Sequence, residues 1–125
     1  MNIRKFAIVF SLLAVLIAGT VLSAAAATPM HVSAFKLGYA LGQTKASVRV
    51  MDALNRPVAG ANVQISFEKD GSPTILLSRM TGTFWKASIA ASLPSGKWVV
   101  CVEEIHKAGF VYDPAQNLCS SIAVP

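Results

Sequence analysis

Residues that carry chemistry are scarce in this chain. Its 125 residues include two cysteines and two histidines. Cys101 and Cys119 lie too far apart for a CxxC redox or zinc pair, and His31 and His106 do not complete a ligand set, so each histidine reads as a surface or edge residue. No GxSxG elbow accompanies Ser78, Ser88, Ser120 or Ser121. Glu103 and Glu104 are neighbours and point to opposite faces of a regular strand, which argues against the carboxylate pair of a glycosidase unless a bulge intervenes. The chain is therefore expected to be no enzyme and to hold no cofactor. It also lacks an internal repeat, a low-complexity tract and any helical period after the first 27 residues. One domain is the expectation, and a helical bundle is not.

What is present begins with a long apolar run. Arg4 and Lys5 precede Phe6–Leu22, which is interrupted only by Ser11, Gly19 and Thr20, and small residues follow at Ser23–Ala27. This is the three-part layout of a secretory signal peptide, helical in its hydrophobic part. Cleavage is expected after Ala27, with Ala25 and Ala26 as alternatives, giving a leader over 1–27 and a domain over 28–125. Left uncut, Phe6–Ala27 is long enough to anchor the chain in a bilayer, the only membrane contact expected. Either way the domain is placed outside the cytoplasm, secreted or periplasmic. Without Arg4 and Lys5 the formal charge falls from +5 to +3. The remaining basic residues are scattered, which is no nucleic-acid signature. Weak attraction to an anionic cell-surface polymer is the alternative to a plainly solvated surface.

The stretch Ser47–Phe67 shows how the domain is built. Val48 and Val50 alternate with Ser47 and Arg49, and turn residues follow at Asp52, Asn55, Pro57 and Gly60. Ala61, Val63, Ile65 and Phe67 then alternate with Asn62, Gln64, Ser66 and Glu68. These are half-buried strands joined by a turn. Further strands are expected over Met30–Leu41, Lys45–Asp52, Ala61–Lys69 and Thr74–Met80, with a break at Gly42–Thr44. In the fifth, Trp85, Ala87 and Ile89 share the inner face, opposite Phe84, Lys86 and Ser88. The sixth runs from Trp98 towards Ile105 past a bulge at Glu103 and Glu104, and the seventh is Ser120–Val124. Phe110 and Tyr112 lie in an extended segment, and Asp113–Asn117 is a loop. About seven short strands with turns every eight to twelve residues indicate an all-β, immunoglobulin-like antiparallel β-sandwich.

The residues also carry a resemblance. Met30-His31-Val32, Val48-x-Val50-x-Asp52, the PVAGA turn at Pro57–Ala61, Val100-x-Val102 and the YDPAxN loop from Tyr112 to Asn117 resemble a family of bacterial extracellular immunoglobulin-like modules. Such modules, akin to fibronectin type III domains, are often appended to secreted peptidases. The resemblance spans nearly all of Met30–Val124 and implies a binding accessory with no reactive centre. Some relatives carry a cysteine pair between the fourth and fifth strands. This chain has Arg79-Met80-Thr81-Gly82 there, so their pairing does not transfer.

Export makes a Cys101–Cys119 disulfide the default, closing a loop of about 19 residues. Asp113 and Asn117 offer oxygens of the kind calcium takes, although the same residues are ordinary turn chemistry. Phe84, Tyr39 and Phe110 are candidate outward rings for a ligand. Three readings follow: a non-catalytic module for protein or cell-surface contact, in one form through an exposed strand edge; a carbohydrate-binding accessory using those rings; and an inhibitor or chaperone of an exported protease.

Overall fold

Alternation of apolar and polar residues produces eight strands: β1 (Thr28–Ala40), β2 (Gln43–Asp52), β3 (Asn62–Glu68), β4 (Ile75–Met80), β5 (Lys86–Ala91), β6 (Gly96–His106), β7 (Phe110–Tyr112) and β8 (Cys119–Val124). The computed structural model describes residues 27–82 and 84–125. The leader expected over 1–27 lies outside the described residues, apart from Ala27. One sheet, A, has the order β5-β2-β1-β7, and the other, B, has the order β4-β3-β6-β8. The expected all-β sandwich is what forms, as two sheets of four strands. It differs in two respects: the extended segment at Phe110–Tyr112 is an eighth strand, and it pairs with β1 in parallel, Thr28 opposite Phe110. A three-residue strand is too short to show a period of its own. Its partner, recruited through the Thr28 N–H bond to the Gly109 carbonyl (3.0 Å), defines it.

Both sheets turn their apolar rows inward. Val48 and Val50 of β2 face Val63, Ile65 and Phe67 of β3 and Trp98, Val100 and Val102 of β6, all essentially inaccessible to solvent. Trp98 keeps its indole N–H satisfied by donating to the Pro94 carbonyl at 2.9 Å. Bulges keep long strands in phase with the core. In β1 the register shifts between Val32 and Ala34, so Val32 and Phe35, three apart, both pack against it. In β6 the shift falls opposite Gln64 and Ile65, so Val102 and Ile105 both face inward. That is the bulge expected at Glu103 and Glu104, and it corrects the inference that the two carboxylates diverge. Glu104 lies opposite the outward Gln64, and Glu103 accepts the Ser66 hydroxyl at 2.6 Å on the same outer side of sheet B.

The β1–β2 connection is tighter than the break expected at Gly42–Thr44. Leu41 and Gly42 have φ of 54° and 78°, the geometry of a two-residue hairpin loop, and Thr44 is already inside β2 and buried.

The chain passes between the sheets five times, and buried polar groups hold the first two crossings. After β2, Asp52 Oδ1 accepts the N–H groups of Leu54 and Arg56, both at 2.9 Å, while Oδ2 pairs with Arg56 Nε at 2.9 Å. The Arg56 backbone N–H, aided by its guanidinium and by Leu54, holds the Asp52 carboxyl below the ordinary carboxylate range, against the opposing effect of burial. Between β4 and β5, the buried Thr81 hydroxyl donates to the Val58 carbonyl at 2.7 Å and accepts the Ala61 N–H at 3.0 Å. Cys101 and Cys119 lie directly opposite on β6 and β8, Cα atoms 4.1 Å apart, and are joined by the expected disulfide.

Two outcomes follow for stability. Replacing both cysteines by serine lowers unfolding free energy by about 3 kcal/mol, measured by denaturant titration, because a closed loop of this length restricts the unfolded chain. For Asp52 the folded-state pKa is the lowered one, so its stabilisation is complete above the ordinary carboxylate value and is lost as pH falls through the folded value. Asp52→Asn is therefore less stable than wild type at neutral pH, and denaturation at progressively lower pH shows the gap closing.

Candidate functional site

With Ala46, Val48 and Val50 turned inward, Lys45, Ser47 and Arg49 of β2 face outward on sheet A. The register adds their neighbours. Across on β1, Lys36 lies opposite Ser47, Ala34 opposite Arg49 and Gly38 opposite Lys45. On β5, Lys86 lies opposite Arg49, Ser88 opposite Ser47 and Ala90 opposite Lys45. The face is thus a floor of small residues bearing four cations, Lys36, Lys45, Arg49 and Lys86, spread over about 15 Å by strand geometry. At its centre the Ser47 and Ser88 hydroxyls are 3.4 Å apart.

This face carries no carboxylate among the described residues. Asp52 is inward and bound by Arg56. Glu68, Asp70, Glu103 and Glu104 belong to sheet B or its turns, and Asp113 lies in the loop after β7. The Arg56–Asp52 bridge is the only ion pair among the described residues, so none of the four cations has a fixed counter-charge. Arg49 and Lys86, directly opposite one another, are a like-charge pair that destabilises a sheet in isolation. A shallow depression of about 100 Å³ lies among Ala34, Lys36, Ser47, Arg49 and Lys86. A broader one runs from Lys45, Lys86 and Ser88 to Arg79 and Met80 on β4.

Of the three rings expected to face outward, Phe84 is the one close to this face along the chain. It is 78% exposed and stands two residues before Lys86. Trp85, expected inside the core, is instead 37% exposed. Its φ of +61° breaks the alternation before β5 begins, so its side chain does not join the inner row of Ala87 and Ile89. The remaining rings sit elsewhere. Tyr39, 39% exposed, is opposite Thr44 at the hairpin end of β1, whereas Phe110 is opposite Thr28 at its start, roughly 36 Å away along the strand. Phe110 is partly buried against the core, with the Lys107 ammonium 5.1 Å from its ring centre. The three do not form one platform.

The oxygens expected as calcium ligands have structural partners. Asp113 Oδ1 caps the 3₁₀ turn Pro114–Gln116 by accepting the Ala115 N–H at 2.9 Å. Asn117 Oδ1 accepts the Tyr112 hydroxyl, and its amide donates to the Glu103 carbonyl at 3.0 Å. Burial, with a smaller effect from Asp113, raises the Tyr112 pKa above its ordinary value, so this hydroxyl remains a donor at neutral pH. Among the described residues no three His, Cys, Asp or Glu side chains are grouped to hold a metal.

Reading the basic residues as scattered missed the cationic face. The available signal was local: Lys45, Ser47 and Arg49 share one phase of a strand. Lys36 and Lys86 join them only through register. No protein-family model, curated protein or solved structure matches this chain.

Proposed function

We propose that this chain is a non-catalytic module that works outside the cytoplasm and attaches to an anionic cell-surface polysaccharide through the outer face of sheet A. The observation that carries this reading is the segregation of charge: four cations, no carboxylate, and Arg49 directly across from Lys86. A polyanion laid over the face relieves the like-charge repulsion and supplies the missing counter-charges. The floor of small residues lets a chain lie flat against the sheet. Nucleic acid suits the face poorly, because no row of rings lies across it for bases to stack on. The disulfide is compatible with an oxidising compartment, and the resemblance to bacterial extracellular modules points the same way.

A second reading, contact with a protein by strand addition, has one observation in its favour. β7 covers β1 only at Thr28–Met30, and among the described residues the edge of β1 from Val32 to Ala40 has no strand neighbour on that side. The hairpin register directs the backbone groups of Phe35, Leu37 and Tyr39 towards that open side.

Binding of the oxidised protein to immobilised polygalacturonate and dextran sulfate tests the first reading. The double variant Arg49→Gln/Lys86→Gln weakens binding about tenfold, the matched pair Lys97→Gln/Lys107→Gln leaves it nearly unchanged, and wild-type affinity falls with added salt. Equal losses for the two pairs would sink it. For the second reading, Tyr39→Pro, at an exposed position of the same phase, removes an edge N–H without breaking the β1–β2 ladder. It should abolish protein capture from an envelope fraction while leaving thermal stability close to wild type.

A further inference from the structure

The turn leading into β5 holds a conformation that its residue type resists. Trp85 has φ +61°, a region a bulky side chain rarely occupies without compensation. Three backbone bonds hold it there. Trp85 N–H donates to the Gly82 carbonyl at 2.9 Å, Gly82 N–H donates to the Lys86 carbonyl at 3.2 Å, and Val50 N–H donates to the Trp85 carbonyl at 3.3 Å. Phe84, 78% exposed, directly precedes Trp85 and stands two residues before Lys86, which lies opposite Arg49. Strain of this kind tends to collect where a protein positions groups for a ligand. A strained turn, an exposed ring and an unneutralised pair of cations meet within a few residues.

Resting on the polysaccharide reading above, we infer that Phe84 and the Arg49–Lys86 pair form one subsite for a sugar ring that bears its own carboxylate or sulfate. The phenyl ring covers the apolar C–H face of the pyranose. The guanidinium fork of Arg49 takes two oxygens of the anionic group, and the Lys86 ammonium takes the remaining charge. Neither half suffices alone. The cations accept any polyanion and the ring accepts any sugar, so together they select an anionic saccharide.

The test compares three probes on the full-length oxidised protein by calorimetry: polygalacturonate and dextran sulfate, which have rings, and linear polyphosphate, which has none. Phe84→Ala weakens the ringed polymers about tenfold and leaves polyphosphate unchanged, with the same salt dependence as wild type. Phe84→Trp restores the loss. Arg49→Gln/Lys86→Gln weakens all three. Loss with only one ringed polymer supports the subsite and identifies its anion as carboxylate or sulfate. If Phe84→Ala shifts all three equally or none, the subsite is wrong and the cationic face stands. If no probe binds wild type, or binding ignores Arg49 and Lys86, the polysaccharide reading falls and the subsite with it.

Discussion

Where the chain first passes from one sheet to the other, after β2, and where it first returns, after β4, it must bury backbone and keep it hydrogen-bonded, and the rest of the structure depends on how that is done. Asp52 gathers two N–H groups and a guanidinium at the first crossing. Thr81 joins the second crossing to the first through Val58 and Ala61. An unpaired amide at either place costs about as much as a lost buried hydrogen bond. With both crossings held, Val50 and Val63 are committed to the same interior, and alternation carries that phase outward along β2 and β3. The facing rows then exclude water, and burial of Trp98 and Phe67 between them supplies the largest apolar contribution.

The two outer faces differ. Sheet B keeps its carboxylates and carries the Cys101–Cys119 bridge, so its β6–β8 pair is held covalently as well as by its ladder. Sheet A presents cations over alanine, serine and glycine. Arg49 opposite Lys86 is a stability cost that no ion pair among the described residues offsets. Such a cost is most simply understood as one relieved by binding, and the left-handed Trp85 beside it is a second unfavourable feature in the same corner. Weak exposed charges acting together suit contact with a repeating polymer, where many small attractions act in parallel.

Individual elements show how far the chain could be read without its fold. β2, β3 and β6 were legible because each keeps one apolar face in strict period two, and the β6 bulge was visible as two glutamates before Ile105. β4 was not: Ile75, Leu76 and Leu77 are consecutive, and the side on which Ile75 and Leu77 turn inward follows from pairing with Phe67 and Ile65. Trp85 misled because a left-handed residue leaves no mark on the hydrophobic pattern. Asp113 and Asn117 read equally as ligands and as turn residues. The Tyr112 hydroxyl, brought across the loop to Asn117, gives them a structural account.

By itself the sequence determined the all-β class, the inward rows, the turn positions and the two cysteines that pair. All of these follow from local chemistry: side-chain alternation, the conformational freedom of glycine and asparagine, and thiol redox chemistry. Only the tertiary structure decided that Lys36, Lys45, Arg49 and Lys86 share one face. The physical reason is register, since strands far apart in the chain become neighbours about 4.8 Å apart once their backbones are paired.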